Sequence, residues 1–131
     1  MISHFEKVKN FLEELEFHLE SEDEQEELVM VTDEEKGISH LMIDCEGEVL
    51  LLEQYIFQLK DPNNSEVLRR LLEINLNIVH GALALADDNR VIFRDTLQLE
   101  NLDRNELESS INSVGLMMAE HADEFIRFAK H

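Results

Sequence analysis

The sequence predicts an α+β fold, a single twisted antiparallel sheet with helices packed on it, in the order α-β-β-β-α-β-β-α. Three observations lead to this fold class. Apolar segments of strand length, separated by short polar turns, lie between residues 28 and 59. Two further apolar segments, 81–86 and 91–99, flank a polar loop of hairpin length. Amphipathic segments with helical spacing precede, separate and follow these two groups of strands.

The first helix begins at Ser3, which together with Glu6 has the pattern of a capping box. Apolar residues then recur every three or four positions and give one stripe, made of Phe5, Val8, Phe11, Leu12 and Leu15. This pattern does not define the end of the helix, because Phe17 and Leu19 alternate with polar residues as they would in a strand. The acidic run that follows, ESEDEQEE at 20–27, is predicted to be a solvated loop.

Three strands are predicted between this loop and the middle of the chain, at residues 28–31, 38–43 and 49–59. The turn sequences DEEKG and EG separate them. The third segment is long and apolar enough to be a buried helix as well. We assign a strand because the turn before it is short and because its aromatic and β-branched residues favour a pleated surface.

The second half of the chain has clearer local signals. The sequence DPNNS at 61–65 breaks the chain and offers an N-cap to a helix whose stripe is Val67, Leu68, Leu71, Leu72 and Leu76. Segments 81–86 and 91–99 are predicted to pair across the polar residues DDNR. In the last helix Asp103 and Glu106 form a capping box, and the core face runs through Leu107, Ile111, Val114, Met118, Phe125 and Ala129.

The chain is strongly acidic. It carries 30 acidic and 11 basic residues among 131, a formal net charge of −19. A surface of this charge repels phosphate groups, so we expect neither nucleic acid nor an anionic membrane as a partner. The charge fits a basic partner segment, and it also fits a simple need for solubility. A chain of this length is predicted to form one domain, 1–131.

The single cysteine, Cys45, excludes an internal disulfide bond and favours a reducing compartment. Its neighbours Asp44 and Glu46 disfavour the thiolate, so a nucleophilic role is not expected. The N-terminal residues lack the apolar stretch of a signal peptide, and no apolar run reaches the ~20 residues of a membrane span. We therefore expect a cytoplasmic protein.

No segment has the pattern of a catalytic or metal site. Glu120, His121 and Glu124 share adjacent turns of the last predicted helix, but metal ligands must converge from several elements and no other segment has a matching spacing. The serines lack a glycine-framed elbow, and the four glycines cannot form a phosphate loop. Asp44 and Asp95 lie within predicted strands, where burial would perturb them. We expect no catalytic residue, no metal and no cofactor.

Four local sequences carry a resemblance to a known family. They are LEQYIFQL at 52–59, NxxxxHGALAL at 75–85, VIFRDTLQLENL at 91–102 and the helix opening NELESSI. With the order of elements, they resemble the YbjN and Tir-chaperone-like family, which has the type III secretion chaperone fold. The resemblance implies a small acidic cytoplasmic protein that is usually a homodimer. Secretion chaperones of this fold hold an extended client segment along an apolar surface formed by the sheet and the first helix.

These observations together predict a non-enzymatic, chaperone-like module that binds an extended or basic segment of another protein. The candidate contact residues are apolar positions of the first helix and the third strand: Phe5, Val8, Leu12, Leu50, Leu52 and Ile56. The last three are expected to line the sheet face that has no helices, and self-association would cover that face in a homodimer. The alternative is that all six are core residues. Alternative functions on this fold are a small regulatory or metal-binding protein, or an enzyme.

Overall fold

The computed structural model describes residues 1–131 and contains three α-helices and six β-strands. The helices are α1 (His4–Glu14), α2 (Ser65–Asn75) and α3 (Arg104–Ala129). The strands are β1 (Leu19–Asp23), β2 (Leu28–Asp33), β3 (Ile38–Glu46), β4 (Val49–Gln58), β5 (Ala82–Leu85) and β6 (Arg90–Gln98), and a 3-10 turn (Glu34–Lys36) joins β2 to β3. The predicted α+β class, with helices packed on one antiparallel sheet, is confirmed, and the order of elements is α-β-β-β-β-α-β-β-α.

Strand β1 occupies residues that the sequence predicts to be a solvated loop. Four of its five residues are exposed, and its backbone pairs with β2 between Leu19 and Asp23. Lys9 of α1 contacts the Glu22 carboxylate and so connects the strand to the first helix. An edge strand can present acidic side chains to solvent, so composition does not distinguish it from a loop. The loop prediction is therefore wrong for residues 20–23, and the turn is confined to 24–27.

The six strands form one antiparallel sheet in the order β1-β2-β3-β4-β6-β5. Strands β1, β2 and β3 each pair with the strand that follows them in the chain, and the predicted hairpin of β5 and β6 is confirmed. This hairpin joins the sheet through β6, which matches nine residues of β4. The third predicted strand is thus a strand and not a helix. A bulge between Tyr55 and Phe57 interrupts its alternation, and Ile56 packs against the core.

The two predicted capping boxes have different outcomes. At α3 the box is complete, because the Glu106 N–H donates to Asp103 Oδ1 at 2.8 Å and the Asp103 N–H donates to Glu106 Oε1 at 3.2 Å. At α1 the Glu6 N–H donates to Ser3 Oγ at 3.1 Å, but the Glu6 carboxylate lies 2.9 Å from Lys9 Nζ. The box at α1 is therefore half formed, since a nearby ammonium group competes for the carboxylate.

All three helices cover the same face of the sheet. Their buried side chains form one cluster of 26 buried residues with alternate residues of the strands. One row of this cluster crosses the sheet through the cross-strand neighbours Val29, Ile43 and Leu52. Leu50 and Leu52 therefore belong to the helix-covered face. The prediction that they line the other face is wrong, because the alternation along β4 is shifted by one residue and places Leu51 there instead. None of the helices combines the length and the apolarity that a bilayer span requires.

The opposite side of the sheet, which we call the helix-free face, is also partly apolar. Its apolar side chains, none of which belongs to the core cluster, are Leu28, Met30, Met42, Val49, Leu51, Tyr55 and Ile92. Ile92 is buried by its neighbours, whereas Tyr55 is 52% exposed. Asp44 lies on this face as the cross-strand neighbour of both Leu28 and Leu51. The sheet thus has a second apolar surface that is partly open to solvent.

Candidate protein-binding surfaces

The residues that the sequence predicts as partner contacts lie inside the molecule. Phe5, Val8 and Leu12 are at most 4% exposed and fix α1 on the sheet, and Leu50 and Leu52 are fully buried beneath the helices. The sixth residue, Ile56, is partly buried against the same core. The structure therefore brings all six into the core, and a partner cannot contact the five buried ones while this core is closed. The surface of the closed fold offers other apolar groups and sheet edges for a partner.

One such part is a group of exposed apolar side chains at the C-terminal end of α2. The exposed fractions are 70% for Leu72, 85% for Leu76 and 74% for Val79. The predicted stripe of this helix is too wide, because its buried residues are only Val67, Leu71 and Ile74. Val79 and the exposed Leu116 of α3 line a common cleft of about 90 Å³. We call Leu72, Leu76, Val79 and Leu116 the α2 patch. All four are large apolar side chains that are mostly exposed to solvent.

The outer edge of β5 is closed by a side chain of α2. Asn75 Nδ2 donates to the Leu83 carbonyl oxygen at 3.1 Å, and the Leu83 N–H donates to Asn75 Oδ1 at 2.7 Å. A carboxamide offers the same donor and acceptor as a peptide group, so Asn75 occupies the place that another strand would take. The middle of β5 is therefore blocked against strand addition.

The other edge of the sheet, β1, has no comparable cover. This strand pairs only with β2, and its side chains from Glu20 to Asp23 are exposed. Glu20 Oε2 lies 2.8 Å from His40 Nδ1, and the Glu22 carboxylate contacts Lys9, so these contacts use side chains and not the backbone. The backbone groups of β1 that point away from β2 are thus available to an added strand.

A groove of about 710 Å³ separates the 3-10 turn from α3. Two glycines allow these elements to approach each other. A Cβ atom on Gly115 would lie 2.6 Å from the Lys36 carbonyl oxygen, and one on Gly37, whose φ is 78°, would lie 2.8 Å from Met118 Cβ. The sequence contains no motif for this contact, and the only signal is the pair of glycines. The groove is open and shallow, and it brings no reactive side chains together.

Asp44 is a buried carboxyl group with an incomplete set of hydrogen bonds. Its side chain is 9% exposed, and Oδ1 has no hydrogen-bond partner. Burial, followed by a hydrogen bond with Glu46 and the negative charges of Glu26 and Glu27, raises the pKa of Asp44 to about 7. The prediction that burial perturbs this residue is confirmed. Asp95, the other acid of this prediction, accepts a hydrogen bond from Ser110 Oγ at 2.7 Å.

Glu120, His121 and Glu124 take part in an ion-pair network that joins α3 to α2. Arg70 Nε and Nη2 donate to the two oxygens of Glu124 at 2.7 and 2.9 Å, and His121 Nδ1 lies 3.2 Å from Glu124 Oε1. The hydrogen bonds from Arg70 are the main reason why the pKa of Glu124 falls to about 2. No group of three or more His, Cys, Asp or Glu side chains is arranged to hold a metal ion. The arrangement is that of a structural clamp.

Cys45 is partly buried at the end of β3. Burial is the main cause, with the charges of Glu27 and Asp44, that raises the pKa of its thiol to about 11. Of the two acidic neighbours predicted to disfavour the thiolate, Asp44 contributes to this shift, whereas the second acidic contribution comes from Glu27 and not from Glu46; burial has the largest effect. The side chain is therefore a protonated thiol at neutral pH.

Several solved structures have the same fold. The chain aligns with the heterodimeric ExoU–SpcU complex from the type III secretion system of Pseudomonas aeruginosa at a TM-score of 0.67 and 14% identity, over 93% of this chain and 97% of that one. For the HopA1–SchA chaperone–effector complex the values are 0.60 and 18%, over 97% and 94%. For YbjN from E. coli they are 0.62 and 15%, over 91% of each chain. The chain thus has the fold of these type III secretion chaperone complexes and of YbjN.

The family assignment rests on the sequence itself. Residues 1–131 match the family model CesT_Tir_1, and the chain belongs to that family. No curated protein sequence matches the chain. The resemblance to the YbjN and Tir-chaperone-like family is therefore confirmed from residue 1 to residue 131.

Proposed function

We propose that the protein is a non-enzymatic, chaperone-like module that binds an extended segment of another protein along β1. The observation that carries this proposal is the difference between the two edges of the sheet. The β5 edge is closed by two hydrogen bonds from Asn75, whereas the β1 backbone is open. Proteins usually protect their sheet edges against pairing with other chains. A fold that closes one edge and leaves the other open has a defined place for an added strand.

The chemistry of β1 also indicates the kind of segment it binds. Main-chain hydrogen bonds supply affinity for any extended chain, and side chains near the edge supply selectivity. Three of the four exposed residues of β1 are acidic: Glu20, Glu22 and Asp23. A basic segment is therefore attracted, and an acidic one is repelled. The proposed function is reversible binding, which involves no chemical step on the bound segment.

The buried residues of α1 have a supporting part in this proposal. Phe5, Val8 and Leu12 hold α1 against the sheet. Lys9, on the side of α1 next to the strand, contacts Glu22 and lies 4.7 Å from the ring centre of Phe5. This contact fixes β1 in an extended conformation before a partner arrives, which lowers the entropy lost on binding.

We propose further that the protein acts as a homodimer formed through the α2 patch. A twofold axis places the same patch of each subunit against the other, so exposed Leu72 and Leu76 would cover their counterparts. Full burial of one leucine side chain stabilises an interface by about 1.5–3 kcal/mol, which offsets the repulsion between two acidic subunits. The β1 edge lies at the other end of the sheet from β5 and α2, so both subunits keep a free edge.

Two further observations support the proposal. The solved structures with this fold include the HopA1–SchA chaperone–effector complex and the ExsC–ExsE complex, which are assemblies of two proteins. The single thiol of Cys45, which stays protonated, suits the reducing cytoplasm, and we propose that compartment.

The test is a pull-down from native lysate with the tagged protein, followed by hydrogen-exchange mass spectrometry of the purified complex. The expected result is a partner whose binding slows amide exchange in β1, with no change in β5, where Asn75 already protects Leu83. Recovery of no partner beyond the protein itself would overturn the proposal. Protection confined to elements other than β1 would also overturn it, because the partner would then bind elsewhere.

A further inference from the structure

The helix-free face contains a buried carboxyl group, that of Asp44, with one oxygen atom that has no hydrogen-bond partner in this chain. Asp44 lies near one end of the sheet, where the turn between β1 and β2 meets the end of β3. Leu28 on one side and Leu51 on the other are its cross-strand neighbours, and both are only partly buried. The carboxyl group is therefore framed by apolar side chains that are themselves accessible from solvent.

No positively charged group of the chain neutralises Asp44. It takes part in none of the salt bridges of the structure, and its Oδ1 atom has no hydrogen-bond partner. The charged groups that act on it from the packed elements are all carboxylates: Glu46 of β3, and Glu26 and Glu27 of the turn before β2. From β4 it faces Leu51, which carries no charge. A buried acceptor without a partner is costly, and such groups are rare in folded proteins.

Arg94, a basic residue on the same face, does not fill this place. Arg94 lies on β6 opposite Glu53 of β4, two strands away from Asp44. It is exposed and forms no salt bridge with any acid of the chain. The chain thus supplies no cation to Asp44 when its carboxyl group is ionised.

We propose that the helix-free face around Asp44 is a second docking site, which receives an apolar segment of a partner protein and pairs one lysine or arginine side chain of it with Asp44. The apolar frame supplies contact area, and Met30 and Met42, which are cross-strand neighbours one row away, adapt to different partner side chains. The charge of the face indicates which of two occupants, a second copy of this chain or a basic segment of a partner, would bind there. A second copy of this chain would bring another net charge of −19 to a cluster of four acids, whereas a basic segment is attracted to it.

This site is distinct from the β1 edge. Side chains on the face of a sheet stand perpendicular to the backbone groups at its edge, so a partner on the helix-free face makes side-chain contacts and no strand pairing. A partner that engages both surfaces would gain affinity from each of them.

The test uses short random peptides displayed on phage and selected on the immobilised wild-type protein. The selected peptides are then synthesised with a fluorescent label, and their binding is measured by fluorescence anisotropy. We expect them to share one Lys or Arg flanked by apolar residues. Replacing that residue by Gln, or using the Asp44→Asn variant, should weaken binding by about tenfold or more, because a charge-assisted hydrogen bond is lost. The Asp87→Asn variant, which removes an exposed charge from the loop between β5 and β6, should bind normally.

The pH dependence gives a second readout. Pairing with a cation requires ionised Asp44, so the affinity of wild-type protein should rise between about pH 6 and about pH 8 and then level off. The Asp44→Asn variant should show no such rise, which separates Asp44 from Glu26, Glu27 and Glu46. The same variant should melt at a temperature at least as high as that of the wild type, since it removes an unpaired buried charge, and a normal melt excludes misfolding as the cause of weak binding.

Several results would overturn this proposal without affecting the β1 proposal. These are selected peptides without a basic residue, equal binding by wild type and Asp44→Asn, or no selected peptides at all. A change of oligomeric mass in Asp44→Asn would also overturn it, because the face would then be a contact between two copies of the chain. Conversely, Asp44-dependent binding of basic peptides that leaves β1 exchange unchanged would support this site even if no partner binds along β1.

Discussion

Replacing Asn75 by Ala should weaken the fold and open the β5 edge. The side chain makes two hydrogen bonds to Leu83, at 2.7 and 3.1 Å, in a partly buried position. Each such bond contributes roughly 0.5–1.5 kcal/mol to stability, so the loss is at most about 3 kcal/mol. Water can reach the freed backbone groups of an edge strand in part, and this places the expected loss at about 1–2 kcal/mol. For a chain of this size that corresponds to a fall of roughly 4–7 °C in Tm.

The measurement is urea unfolding followed by circular dichroism, with hydrogen exchange of the Leu83 amide as a local readout. The matched control is Asn77→Ala, two residues further along the chain, where the exposed side chain makes no hydrogen bond. This control should change stability by less than about 0.5 kcal/mol. Equal stability of Asn75→Ala and Asn77→Ala, with unchanged exchange at Leu83, would refute the argument that Asn75 closes the edge.

Three further predictions concern the dimer, the groove and the clamp between helices. Leu76→Glu should give the monomer mass of 15.3 kDa by sedimentation at micromolar concentration, whereas wild type and the control Ile2→Glu should give twice that mass; a monomeric wild type would exclude the dimer. Gly115→Ala should destabilise the protein by about 1–3 kcal/mol, because the clash with the Lys36 carbonyl exceeds the helix propensity gained, and an unchanged urea midpoint would show that the 3-10 turn simply moves away. The pKa of Glu124 is lowered to about 2, so its contribution is present above the ordinary pKa of 4.5 and is lost as the pH falls from there toward 2. Glu124→Gln should therefore cost about 1–2 kcal/mol at neutral pH and almost nothing in strong acid, and a pH-independent loss would contradict the clamp.

Local signals in the sequence were sufficient for much of the fold. The capping box at Asp103 and Glu106 and the polar loop between β5 and β6 correctly predict α3 and the hairpin, because both features depend on residues close in the chain. Strand β1 could not be predicted in this way. Its hydrogen bonds come from β2, and its acidic side chains resemble those of a loop.

The candidate surfaces were much harder to predict. A sheet strand with apolar residues at successive positions, such as Leu50, Leu51 and Leu52, does not reveal which parity faces the helices, so the predicted contacts were placed on the wrong face. Leu72 was assigned to a helix stripe that is narrower than its apolar residues suggest. The parts played by Asn75 and Asp44 depend on which backbone or carboxylate they meet across the fold. No pattern within their own segments contains that information.

The long junction between β4 and β6 has a consequence for synthesis of the chain. Residues 1–60 form α1 and the first four strands, and the nine residues of β4 that pair with β6 remain without that partner until the C-terminal half emerges. During that interval β4, a central strand of the finished sheet, is an edge strand whose free backbone groups could pair with other chains. The half that is made first carries 17 acidic and 4 basic residues, a net charge of −13 out of −19. The uneven charge would therefore keep unfinished copies on neighbouring ribosomes apart until β6 closes the sheet.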